Sequence, residues 1–273
     1  MAAADRVPLL QLEGISKAFG AVQALSNVNF DVFAGEVVAL VGDNGAGKST
    51  LIKSIAGIHP IDAGTIYFEG RKVSIHSPND SKALGISTVY QDLALCDNLD
   101  VVANLYLGRE AGTVPGPIGM MDETKMEKKA VEVLRRLSVK IPSVRTQIAM
   151  LSGGQRQSVA VARAVLWDSR VVLLDEPTAA LGVAQTKEVL DLVKRLRDEG
   201  HGVVIISHNL VDVYEVADRI TVLRLGRYVG TYEAAKTDRE LMVGLMTGAV
   251  AGAAPVNPDL EQVETTSAGE AAK

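Results

Sequence analysis

Gly42-Asp43-Asn44-Gly45-Ala46-Gly47-Lys48-Ser49-Thr50 decides how the rest of the chain reads. An apolar run, Val37-Val38-Ala39-Leu40-Val41, precedes it and predicts a buried β-strand. Residues 51–56 follow and predict a helix that ends near Gly57. The stretch fits G-x-x-x-x-G-K-[ST], the phosphate-binding pattern, in the strand–loop–helix setting that the pattern needs. Glycines at 42, 45 and 47 let the backbone curl so that successive N–H groups face inward. The helix N-terminus adds its partial positive charge at the same point. Lys48 supplies a full charge for β- and γ-phosphates, the Ser49 hydroxyl suits a Mg²⁺ shell, and Thr50 stands near an α-phosphate.

The chain has 273 residues, 47% of them hydrophobic and 22% charged, so it has the apolar material for a large core. Its net charge is −5 and it has no long Lys/Arg run, which argues against nucleic acid as a partner. One cysteine, Cys96, excludes an internal disulfide and suits a reducing compartment. The first residues lack the basic and apolar regions of a secretory signal. No apolar run approaches the ~18–20 residues of a membrane span.

Upstream of the loop, residues 9–12 and 28–32 read as strands, with Phe19 just before Gly20. An aromatic there can stack on a base, although alone Phe19 reads equally as core. Residues 61–70 alternate and pair with 73–75 as a hairpin. Residues 86–90 form a short strand ending at Gln91. Ligands gather at such strand ends in α/β folds. From about 93 to 167 the pattern turns helical. Asp97 or Asn98 caps a helix over 99–107, residues 112–119 form a loop, and Asp122 caps a helix with apolar residues at 126, 130, 133, 134 and 137. Met120 and Met121 read as core or interface filler.

Ser152 then caps a helix whose first residues, Gly153 and Gly154, leave N–H groups open to an anion. Residues 171–175 form a doubly buried strand ending in Asp175-Glu176. Asp175 would hold Mg²⁺ through water, and Glu176 is free to act as a general base. A helix over 186–199 and a strand over 203–206 follow, and His208 at that strand's end can donate to a γ-phosphate. His59, His76 and His201 read as surface residues. Strands at 220–223 and 228–231 close a hairpin, and a short helix covers about 238–246. Residues 247–273, poor in apolar bulk, read as a disordered tail.

In this order the features resemble an ABC-transporter ATPase subunit over residues 7–246. The matching positions are the adenine-stacking aromatic Phe19, the Walker A loop of residues 42–50, the Q-loop Gln91, the signature Leu151-Ser152-Gly153-Gly154-Gln155, the Walker B strand ending at Asp175, the adjoining Glu176 and the switch histidine His208. Tyr90-Gln91-Asp92-Leu93-Ala94-Leu95 and Asn104-Leu105-Tyr106-Leu107-Gly108-Arg109-Glu110 are similar to ATPases of bacterial monosaccharide importers, most of all the single-domain, fructose-import-like members. The resemblance implies an α/β fold: a P-loop NTPase core with an antiparallel β subdomain and a helical subdomain inserted at about 93–167.

It also implies ATP and Mg²⁺ as ligands. ATP would be held by Phe19, Gly42, Asp43, Asn44, Gly45, Ala46, Gly47, Lys48, Ser49, Thr50 and Gln91. The metal would be held by Ser49, Gln91 and Asp175. Glu176, His208 and Lys48 would be the catalytic set. Ser152, Gly153, Gly154 and Gln155 would close on the nucleotide of a second, identical subunit. Transmembrane permease subunits would be the partners, with a periplasmic sugar-binding protein acting indirectly and no nucleic acid. The place would be the cytoplasmic side of the bacterial inner membrane, peripherally. The alternative is a soluble ABC ATPase acting on ribosomes or DNA. One position departs from the family: Ala179-Ala180-Leu181-Gly182 carries glycine where the D-loop usually ends in aspartate.

Overall fold

The computed structural model describes residues 6–110 and 121–250. The loop expected over 112–119, Met120 and residues 251–273 of the expected tail lie outside those residues.

The chain opens with β1 (Leu10–Phe19) and β2 (Val22–Val32), which pair antiparallel. Both strands run further than the alternation of residues 9–12 and 28–32 suggested. Register shifts between Leu12 and Lys17 break the alternation, and Gly14 and Asn27 take positive φ there. Then come β3 (Glu36–Val41), α1 (Lys48–Ile55), β4 (Ala63–Phe68) and β5 (Arg71–Val73). The order β2-β1-β4-β5 makes one antiparallel sheet.

A short α2 (Pro78–Ala83) precedes β6 (Ile86–Val89). Its apolar content is too low for a periodicity to show. It forms because Ser77 and Asp80 make a reciprocal capping box with Pro78 at the first turn. The helical block comprises α3 (Val101–Tyr106), α4 (Glu123–Arg136) and α5 (Gly153–Val165). The cap of α3 is Asp100, not Asp97 or Asn98. Its carboxylate accepts from Ala103 N–H at 2.7 Å, because residues 96–99 form a turn of their own with Leu99 N–H on Cys96 O. Met121 is exposed and is no core filler.

The remaining elements are β7 (Val171–Asp175), α6 (Val183–Asp198), β8 (Gly202–Ile206), α7 (Leu210–Val216), β9 (Arg219–Arg224), β10 (Arg227–Glu233) and α8 (Arg239–Thr247). The second sheet has the order β10-β9-β3-β8-β7-β6. All its neighbours run parallel except the edge pair β9–β10.

Its central strands send alternate residues into two separate cores. Val37, Ala39 and Val41 of β3, Val172 and Leu174 of β7, and Val203 and Ile205 of β8 join the helices in one core. Val38, Leu40, Val171, Leu173, Val204 and Ile206 join the antiparallel sheet and α1 in the other. Burial on both faces is why these strands read as unbroken apolar runs.

Two polar side chains fasten the stretch after β6 to the helical block. The buried Asn104 exchanges hydrogen bonds with Cys96 and also donates to the carbonyls of Leu99 and Asp100. Arg163 of α5 donates to the carbonyls of Leu93 and Ala94, both at 2.7 Å.

One ionic cluster joins the two sheets. Arg219 at the start of β9 bonds Glu36 of β3 and Asp31 of β2, and its guanidinium lies over the Phe33 ring. All three charged side chains are largely buried. Removing the cation alone leaves two carboxylates desolvated and unpaired. Arg219→Met is therefore expected to cost about 3–5 kcal/mol, measured by urea unfolding.

Candidate nucleotide site

The carboxyl ends of four adjacent parallel strands build the site. The phosphate loop follows β3, His208 follows β8, Asp175 and Glu176 end β7, and Gln91 lies just past β6. The sequence predicted each of these positions, and the sheet order makes them neighbours.

The loop is shaped by close approach. A Cβ on Gly42 would lie 2.3 Å from Leu223 O, and one on Gly47 2.8 Å from the Leu25 side chain. Gly226, in the β9–β10 turn, donates to Ala46 O and accepts from Ser26 N–H, so both sheets grip the loop from outside. Lys48 reaches across it and donates to the carbonyls of Gly42 and Asp43 at 2.8 and 3.0 Å. Burial holds the Lys48 ammonium below its ordinary range, while Glu176, Asp43 and Asp175 pull it upward. At α1's start, the first N–H groups have no intrahelical partner, and Ser49 is exposed beside them.

Asp175 sits half-buried at the end of β7. Burial, and then the Glu176 charge, push its carboxyl above the usual carboxylate range, against Lys53 and Lys48. Glu176 has a left-handed backbone, φ 51°, rare for a residue with a side chain. Its N–H bonds Ile206 O at the end of β8. Its Oε2 lies 2.9 Å from His208 Nδ1, so the two predicted side chains are in contact. The His208 side chain is 73% exposed, which leaves the rest of its ring open to a ligand.

Phe19, 43% exposed, ends β1 on the hairpin whose other strand touches Gly47. Lys17 lies over its ring, and His59 meets it edge-on with centroids 5.0 Å apart. His59 therefore packs against Phe19 and is not bare surface. His201 is also more enclosed than expected, with its Nδ1 2.7 Å from Ser169 O.

The signature segment stands against the start of α6. Ser152 caps α5 and exchanges capping bonds with Gln155. Gln155 also donates to Lys140 O, so both ends of its amide are engaged within the chain. Ser152 and Gly153 are exposed. A Cβ on Gly154 would lie 3.0 Å from Gln185, so glycine also serves the packing of α5 on α6. Gly182 caps α6 without a side chain, and a Cβ there would meet nothing within 4 Å, so aspartate would fit.

Sequence reasoning missed Thr178, Asn209 and Asp212, which join the loops after β7 and β8. Thr178 and Asp212 stand 34 residues apart and His208 lies outside α7, so no local spacing signals the bridge.

A groove of about 440 Å³ opens beside the end of β6, between α1–α2 and the helical block. Tyr90, Leu105, Leu107 and Trp167 line it, along with Lys82, Arg109 and Arg163, and among the described residues no acidic one does.

The ABC transporter profile matches residues 25–179. The chain belongs to the ABC transporter family. It is 47% identical over 244 residues to a xylose/arabinose import ATP-binding protein of Sulfolobus acidocaldarius, covering 89% of this chain and 96% of the relative. It is 44% identical over 247 residues to a fructose import ATP-binding protein of Rhizobium meliloti, covering 89% and 95%. A dimeric bacterial ABC transporter cassette matches its fold with TM-score 0.69 at 27% identity, covering 82% of this chain and 98% of the other. The chain is thus an ABC cassette with the P-loop core, antiparallel sheet and helical block of that fold.

Asp175 gives the cassette a testable cost. Its folded carboxyl titrates above its unfolded one, so ionisation at neutral pH works against the fold, and the penalty fades as pH falls through the folded pKa. Asp175→Asn is expected to raise the nucleotide-free melting temperature at pH 7, by less as the buffer is acidified, in thermal scans.

Proposed function

We propose that this chain is the ATP-hydrolysing subunit of a monosaccharide importer, working as a head-to-tail pair on the cytoplasmic face of a membrane permease. The observation that carries the reading is the 2.9 Å contact between Glu176 and His208, beside a phosphate loop on the neighbouring strand end.

The residues present suit each part of ATP. Phe19 offers a ring face to the base. Residues 42–50 offer inward N–H groups to the phosphates, and Lys48 exchanges its two carbonyl bonds for γ- and β-oxygens. Among the described residues, no group of three or more His, Cys, Asp or Glu side chains is arranged to hold a metal by itself. Ser49, Gln91 and Asp175 supply hard oxygen donors, and with phosphate oxygens they fit Mg²⁺, which holds most of its shell by substrate and water. Bound there, Mg²⁺ would neutralise charge on the phosphates.

Glu176 orients a water on the γ-phosphorus and takes its proton. His208, held by Glu176 through one ring nitrogen, turns the other toward the γ-phosphate. The Ser152 hydroxyl and the Gly153 and Gly154 N–H groups of the second copy complete the phosphate shell, with Gln155 acting through the cap it makes. The groove beside Gln91, lined by Lys82, Arg109 and Arg163, is the docking face for the permease, through a short apolar segment that carries an acid. Among the described residues, no helix is long and apolar enough to cross a membrane. Relatives named for pentose and for fructose import are similarly close, so the sugar class comes from them. The individual sugar is chosen by the permease and its periplasmic binding protein.

Glu176→Gln is expected to keep ATP affinity and to lower kcat by about 10²–10⁴-fold in a phosphate-release assay. Wild-type turnover would remove Glu176 from the base role. Arg109→Glu changes an exposed groove residue that stacks on Trp167. It is expected to weaken co-purification with the permease while basal ATP turnover of the isolated chain stays unchanged.

A further inference from the structure

Thr178 and Asp212 are buried next to the Glu176–His208 pair, and hydrolysis as described uses neither. Thr178 Oγ1 donates to Asp212 Oδ2 at 2.6 Å inside the protein. The other carboxylate oxygen accepts from Asn209 Nδ2 at 2.9 Å. Thr178 lies two residues after Glu176, in the corner that turns back through the Ala179 N–H bond to Glu176 O. Asn209 directly follows His208. It caps α7 through Val211 N–H, and its own N–H bonds the buried Ser207 hydroxyl. One carboxylate therefore ties the loop bearing Glu176 to the loop bearing His208.

The tie matters because the Glu176 loop is not held there by backbone preference. Glu176 has a left-handed conformation that persists only when its surroundings fix it. Above it, one hydrogen bond, Glu176 N–H to Ile206 O, connects the ends of β7 and β8. Beyond that bond the described cross-links are the Glu176–His208 contact itself and the Asp212 bridge. A mostly exposed His208 cannot set its own orientation by packing.

We infer that Asp212 is a positioning residue for the Glu176–His208 pair, acting through Thr178 on one loop and Asn209 on the other. The inference rests on the reading of Glu176 as the hydrolytic base. Truncating the bridge leaves the phosphate loop intact, so nucleotide affinity and catalytic rate separate.

The test compares Thr178→Val, Thr178→Ser and Asp212→Asn in the full chain. Thr178→Val keeps the shape and removes the hydroxyl, and Thr178→Ser restores it. Thr178→Val is expected to lower kcat by about tenfold or more with KM for ATP nearly unchanged, and Thr178→Ser to recover most of the loss. In nucleotide-free Asp212→Asn, the His208 imidazole NMR signals, assigned with His208→Gln, are expected to move. Three results would overturn the inference: wild-type kcat in Thr178→Val, a kcat loss that Thr178→Ser fails to rescue, or unmoved His208 signals in Asp212→Asn. Glu176→Gln measured alongside separates the two failures. Full turnover there removes the base reading, while the NMR arm still decides whether Asp212 sets the histidine.

Discussion

Parallel hydrogen bonding between β3, β8, β7 and β6 is the constraint on which the site depends. It aligns four strand ends on one edge of one sheet. The register Asp175↔Ile206 then places Glu176 beside the start of the His208 loop. No side-chain contact could do this alone, because the groups come from sequence positions far apart. Parallel pairing in turn needs both faces of the sheet covered, which the two cores provide. The antiparallel sheet is thus part of the site's foundation, and its tie to β3 and β9 runs through Arg219.

Much of this was legible from residues. The phosphate loop is written in local sequence, since its glycines, lysine and flanking elements all act on their immediate neighbours. The doubly buried strands showed as apolar runs, and Ser152 and Asp122 showed as caps because capping is a three-residue interaction. What was illegible depends on partners far along the chain or on short elements. The extended β1 and β2 hide behind bulges. α2 has too little apolar surface to show a period, and α7 is seven residues long. The Asp212 bridge joins residues 34 apart, so no local pattern announces it. His201 and His59 were misjudged for the same reason: turn-like sequence does not say what folds over it.

The signature segment shows one residue set serving two ends. Its glycines permit close packing on α6, and its serine and glutamine cap α5. The exposed Ser152 and Gly153 are therefore presented by a helix start that the chain has already fixed. Preorganised donors of this kind lose little freedom when an anion arrives.

The bonds of Asn104 and Arg163 have a mechanical meaning. They clamp residues 93–100 to the helical block, while β6 ends at Val89 in the sheet. Between the strand and the clamped stretch only Tyr90, Gln91 and Asp92 intervene. A hinge this short cannot absorb displacement as slack. A displacement at Gln91 is passed on to the stretch that Asn104 and Arg163 hold against α3 and α5.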